Sequence, residues 1–299
     1  MIQAADATKR FDGRLAVDHV SAQINQGSVF GLIGSNGAGK STFLRLAAGI
    51  LKPDEGSVQL DGQEIFESPR AKSRIFYISD EQYFYSNASP AEMRDFYCAV
   101  YPNFDKSRFQ TLLRTFDLEV DRKINAFSKG MKKQLSVICG VCANTEYLFC
   151  DETFDGLDPV ARQAVKTLFA GEIAQRGLTP VVASHNLREL EDICDHVGLL
   201  HRGGILFSRD LDDMKLGINK AQCVFDEPIA KEDFAPLEVM QLEKRGSLYT
   251  VTARASRDEL AARVQELRPV FYEVLPLTLE EIFISETEAR GYDVKKLLF

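Results

Sequence analysis

The chain has 299 residues, with 36 Lys and Arg against 44 Asp and Glu, a net charge of −8, and 45% apolar residues. This balance excludes intrinsic disorder, a collagen-like repeat and a porin-like barrel, and at ~150 residues per domain the length fits two domains. An acidic chain gains little from a phosphate backbone, so no nucleic-acid partner is expected.

No run approaches the ~18 consecutive apolar residues of a membrane span. The N-terminal segment lacks the apolar core of a secretory signal, so a cytoplasmic location is expected unless a partner holds the chain elsewhere. Cys139 and Cys142 form a CxxC, but no further ligands stand at zinc spacing. Buried, reduced core thiols are expected for all six cysteines.

In chain order, Val29–Ile33 reads as a buried strand followed by a Gly-rich turn. Lys40–Ala48 reads as a helix, with Phe43, Leu44 and Ala47 at core spacing and Gly49 as its stop. Residues 84–135 carry helix signals and no strand signal. Ser89-Pro90-Ala91-Glu92 is a capping box with Pro at the first helical position. Asp105–Phe116 reads as a second helix, so this block is a helical subdomain inserted into an α/β core. Its aromatic cluster (Tyr83, Phe84, Tyr85, Phe96, Tyr97, Tyr101) serves either as the insert's core or as a docking groove. Tyr147–Cys150 and Pro180–Ser184 are two more short strands ending in polar residues. Strands separated by helices imply a largely parallel sheet, whose ligands bind at the strands' carboxyl ends.

The first domain is expected to span 1–217, with helix-stop residues around Gly217-Ile218-Asn219 as linker. The second, 218–299, reads as a small α+β domain. Its strands are Gln222–Asp226, Leu248–Arg254 and Val270–Leu275, and its capped helices are Arg257–Leu267 and Leu279–Ala289.

Gly34-Ser35-Asn36-Gly37-Ala38-Gly39-Lys40-Ser41 matches the phosphate loop G-x-x-x-x-G-K-[ST], with a buried strand before it and a helix after it. Glycines let backbone N–H groups turn inward around phosphates, and the helix N-terminus adds partial positive charge. Lys40 is placed to reach the β- and γ-phosphates of a nucleotide, and the Ser41 hydroxyl to ligate Mg²⁺. Asp151 ends an apolar strand where a carboxylate can hold Mg²⁺, and Glu152 follows as candidate general base. His185 follows the next strand, where the carboxyl-end rule puts it near the γ-phosphate.

With these residues in view, the chain resembles the ATP-binding subunits of ATP-binding cassette (ABC) transporters over about residues 1–210. Phe127-Ser128-Lys129-Gly130-Met131 resembles the signature L-S-G-G-Q, and Asp151-Glu152-Thr153-Phe154-Asp155-Gly156-Leu157-Asp158-Pro159 resembles D-E-P-T-x-G-L-D-P. The resemblance implies a phosphate-loop NTPase core with N-terminal antiparallel strands. It also implies ATP and Mg²⁺ as cofactors, with the phosphate loop and Thr42 on the nucleotide and Phe11 stacking on adenine. Ser128, Gly130 and Asp158 would meet nucleotide across a dimer with a second ATPase subunit, identical or not. Glu152 would be the base and His185 the switch histidine. It further implies a separate membrane permease and a position on the cytoplasmic face of the membrane.

Lys129, Met131 and Thr153 depart from the pattern. So does the loop Tyr77-Ile78-Ser79-Asp80-Glu81-Gln82, where Asp80 stands in place of a Gln that meets Mg²⁺ and water. Glu81 and Gln82 remain alternatives for that role. Pro276–Phe283 resembles the tail of antibiotic-, peptide- and drug-export subunits. Export is therefore expected, with import, or a soluble cassette acting on ribosomes or DNA, as the alternatives.

Overall fold

The computed structural model describes residues 1–288, and for 215, 216 and 285–288 the backbone alone. The chain divides into two compact units, Met1–Ser208 and the residues from Arg209 onward. The division falls ahead of Gly217, because the short helix that ends at that glycine groups with the second unit.

In the first unit, β1 (Ile2–Phe11) and β2 (Arg14–Ile24) form an antiparallel hairpin. The chain continues through β3 (Phe30–Ile33) and α1 (Lys40–Ala47). β4 (Glu55–Leu60) returns to pair with β1, and the two-residue β5 (Gln63–Glu64) completes a four-stranded sheet. Next come α2 (Pro69–Lys72) and β6 (Ile75–Ile78). The helical insert follows as α3 (Pro90–Val100), α4 (Lys106–Thr115) and α5 (Lys129–Cys142). The core resumes with β7 (Tyr147–Asp151), α6 (Pro159–Arg176), β8 (Thr179–Ser184), α7 (Leu187–Glu191), β9 (His196–His201) and β10 (Gly204–Asp210).

The six-stranded sheet has the order β10-β9-β3-β8-β7-β6. From β9 through β3, β8 and β7 to β6, each strand runs parallel to the next. Every residue of β3, β7 and β8 is buried, as expected of parallel strands covered on both faces. Phe30, Phe43, Tyr147 and Phe149 anchor the core between this sheet, α1 and the antiparallel sheet.

Local signals set the helix starts. Ser89 and Glu92 form a reciprocal capping box with Pro90 at the first turn. Asp105 and Ser128 cap α4 and α5 by accepting from Arg108 and Met131 N–H. Each such cap contributes about 0.5–2 kcal/mol.

The strand expected from Val29 begins at Phe30. The Val29 N–H goes to the Asp195 carboxylate at 2.7 Å instead of joining the ladder. Tyr77 and Ile78, read as loop, are the end of β6. The aromatic cluster divides: Tyr97 and Tyr101 pack on Phe76, whereas Tyr83 is 79% and Tyr85 48% exposed. Ring contacts continue from Tyr83 through Tyr85 and Phe96 to Tyr97 at centroid distances of 6.1, 5.1 and 5.2 Å.

The second unit holds α8 (Leu211–Gly217), β11 (Asn219–Val224), β12 (Glu238–Arg245), β13 (Leu248–Arg254), α9 (Arg257–Glu266), β14 (Phe271–Leu275) and α10 (Leu279–Glu288). Its antiparallel sheet has the order β12-β13-β11-β14. Leu260 and Val264 of α9 pack with Ala221, Val251 and Phe234 into a separate core. The capping boxes at Ser256 and Thr278 are both formed. The strand expected at Gln222–Asp226 sits earlier, because β13 fixes its register by pairing Asn219 with Ala253 and Val224 with Leu248. The expected end of the last helix, Ala289, lies outside the described residues.

Candidate functional site

Adjacent parallel strands bring four loops to one edge of the six-stranded sheet. Ile33 of β3 pairs with Ser184 of β8, Asp151 of β7 with Ala183, and Ile78 of β6 with Cys150. The segments that follow begin at one level. They carry the phosphate loop, His185, Glu152 and Asp80 respectively.

The phosphate loop needs glycine at its last turn. Gly39 has φ 105°, and a Cβ there would lie 2.2 Å from the Ala16 carbonyl oxygen. Gly39→Ala is therefore expected to destabilise the first unit by at least the ~1–3 kcal/mol of backbone strain. A lower melting temperature together with weakened nucleotide binding is the expected result. An unchanged melting temperature would show that the loop relaxes freely.

Lys40 is only 5% exposed. Its Nζ donates to the carbonyls of Gly34 at 2.8 Å and Ser35 at 3.2 Å and lies 3.1 Å from Glu152 Oε1. Ser41 Oγ donates to Asp151 Oδ1 at 2.9 Å, and the Tyr77 hydroxyl donates to Asp151 Oδ2 at 3.0 Å. Asp151 is fully buried. Burial pushes its carboxyl above the ordinary range, and the Ser41 and Tyr77 hydrogen bonds pull it back in part. A hydroxyl and a carboxylate side by side are hard oxygen donors suited to Mg²⁺, which keeps several of its own waters. Among the described residues no group of three or more His, Cys, Asp or Glu side chains could hold a metal alone. A site that shares its ion with substrate phosphates needs no such cage.

Glu152 takes a left-handed backbone, φ 46°. Its N–H donates to the Ala183 carbonyl at 3.0 Å, and its carbonyl accepts from Lys133 Nζ. Its other carboxylate oxygen, Oε2, lies 2.9 Å from His185 Nδ1. One carboxylate thus bridges the phosphate-loop lysine and the histidine. A cleft of about 270 Å³ opens here, lined by Ala16, Asn36, Gly37, Gly39, Lys40, Ser41, Thr42, Asp80 and Glu152.

Asp80 reaches this cleft. Gln82 instead folds its side chain back onto the Ser79 and Asp80 carbonyls at 3.0 and 2.7 Å, and Glu81 does not line the cleft.

Phe11, Ser128, Gly130 and Asp158 do not line the cleft. Phe11 is 46% exposed at the end of β1, with the Lys9 ammonium 5.8 Å from its ring centre. Ser128 is the α5 cap. A Cβ on Gly130 would lie 3.1 Å from the Gly156 carbonyl, so that glycine lets α5 approach the turn after β7. Asp158 caps α6, accepting from Val160 and Ala161 N–H at 2.9 Å each.

Three contributors escaped the sequence reading. Ala16 offers no chemical signal. Tyr77 reads as loop from its sequence but lies in β6. Lys133 had a readable signal, since it shares a helical stripe with the buried Val137 and Val141. Cys139 and Cys142 lie buried in the same helix, and burial pushes the Cys142 thiol up to about 12.

A phosphate loop, a strand-end Asp-Glu pair and a histidine on neighbouring parallel strands define a phosphate-loop nucleotide hydrolase. Comparison with known proteins narrows the class. The family model described as ABC transporter matches residues 17–155. The chain is 33% identical to the ABC transporter ATP-binding protein YtrB of Bacillus subtilis (strain 168), across 96% of this chain and 98% of that protein. It is 30% identical to the bacitracin transport ATP-binding protein BcrA of Bacillus licheniformis, over 72% of this chain and 71% of that one. A solved ATP-binding subunit of an ABC transporter superimposes with a TM-score of 0.66 at 25% identity, covering 72% of this chain and 92% of that one.

The chain belongs to the family of ABC transporter ATP-binding subunits. It is an ATP-binding, ATP-hydrolysing transporter subunit. Among its described residues no helix is long and apolar enough to cross a membrane.

Proposed function

We propose that the chain powers export of a small molecule or peptide through a separate membrane permease, working as one of two ATPase subunits on the cytoplasmic face. The likeness to the bacitracin transport protein supports an antibiotic or peptide cargo. The observation that carries the chemistry is the Glu152 carboxylate held between Lys40 and His185.

In this reading the phosphate loop, with Lys40, Ser41 and Thr42, cradles the phosphates of ATP. The phosphates compete with Glu152 for Lys40, which turns the Glu152 carboxylate toward the attacking water as general base. His185 steadies that carboxylate and, through it, would act on the γ-phosphate side. Ser41 and Asp151 would hold Mg²⁺, with Asp80 on the facing loop; the ion, when bound, neutralises charge on the phosphates. Ser128, Gly130 and Asp158 would serve the second subunit's nucleotide. Phe11 would stack on adenine, and the exposed Tyr83 and Tyr85 would meet the permease. Residues 218–299 would form an accessory domain separate from the 1–217 ATPase.

The native protein is expected to sediment with membranes and, after detergent extraction, to stay bound to an integral membrane protein. Recovery in the soluble fraction alone, with no such partner, would overturn the permease reading.

A further inference from the structure

Lys133 lies inside the protein, with its side chain 0% exposed. A buried ammonium is tolerated only with oxygen partners, and Lys133 has two. Its Nζ donates to the Glu152 carbonyl and lies 3.3 Å from Asp80 Oδ1. The first partner belongs to a residue with φ 46°, a conformation that a non-glycine residue keeps only when its surroundings hold it. The second stands on the loop after β6 and lines the cleft. Lys133 itself is on α5, the helix whose first turn carries Ser128 and Gly130. One side chain therefore joins the turn that bears Glu152, the loop that bears Asp80, and the helix that begins at the signature.

We infer that Lys133 is a positioning residue that holds the left-handed turn of Glu152 and couples Asp80, at the nucleotide cleft, to the signature helix of the same chain. The inference rests on the reading of Glu152 as the base for its catalytic half only. Asp80 is shared between the cleft and Lys133. Any ligand that draws on Asp80 changes what Lys133 is left to bind, and α5 feels the change through its own backbone. Asp80, which departs from the family pattern, is met by this buried base.

The test compares Lys133→Met, Asp80→Asn and the double variant with the parent protein. Lys133→Met keeps the length of the side chain and removes the charge. Its kcat is expected to fall about tenfold or more, while KM and the affinity for a fluorescent ATP analogue change less than about threefold, because the phosphate loop is untouched. The double variant should lose no more than Lys133→Met alone, since the two groups act through one contact.

A second readout separates coupling from mere support. Hydrogen exchange at the 129–133 amides, measured on dilute monomer, should respond to ADP and Mg²⁺ in the parent. That response should vanish in Lys133→Met and in Asp80→Asn. An exchange response that persists in both variants overturns the coupling, as does a Lys133→Met kcat within about twofold of the parent. Should Lys133→Met fail to fold, Asp80→Asn, which leaves the lysine bonded to the Glu152 carbonyl, carries the exchange test alone. Glu152→Gln is assayed in parallel. Parental turnover there would overturn the role of Glu152 and leave the exchange result to decide the coupling.

Discussion

Glu152→Gln is expected to slow ATP hydrolysis by about 10²–10⁴-fold while ATP still binds. The amide has the shape of the carboxylate and can still reach His185, now 2.9 Å from Oε2. It cannot accept a proton from water. It also no longer pairs as an anion with Lys40, 3.1 Å away in the parent. The lysine then meets the phosphates without a competing charge, so affinity should hold or rise. Turnover and nucleotide titration on the same preparation check both halves. ATP that binds and is not cleaved should also favour a dimer on size exclusion. A variant that hydrolyses at the parental rate would assign the proton transfer to another group.

Lys40→Ala should reduce ATP affinity by at least about 10–100-fold, the worth of the charge-assisted bonds it would make to phosphate oxygens. The change reaches further than one contact. The Gly34 and Ser35 carbonyls lose their common donor, and Glu152 loses its cation. The loop's inward-facing backbone depends on that donor, so the variant should also melt earlier than the parent. Titration with labelled ATP, with thermal unfolding alongside, separates lost affinity from lost fold. Parental affinity in a folded variant would remove Lys40 from the nucleotide site.

The phosphate loop was legible because its chemistry restricts residue type at almost every position. Glycine is demanded where backbone must pass within 2.2 Å of a would-be Cβ, and lysine where phosphate oxygens must be met. Asp151 and Glu152 were legible because they end a wholly apolar strand. The sheet order was not, because β3 lies between β9 and β8, partners from far along the chain. β12 was not found either. It is an edge strand, largely exposed, with a register shift between Val239 and Gln241 that breaks its alternation. Lys133 marks the limit at the site. Its place on a buried stripe can be read, but the Asp80 carboxylate that meets it comes from a loop 53 positions away.

The row of rings from Tyr83 to Tyr97 bears on how the protein can be watched. The chain has nine tyrosines and no tryptophan, so it is dark under excitation selective for indole. Tyr83 is 79% exposed and within 6.1 Å of the next ring. An indole placed there would be the sole emitter, seated on the surface proposed to meet the permease. Its colour would report whether water or another protein covers that surface, with no signal from the nucleotide cleft to subtract.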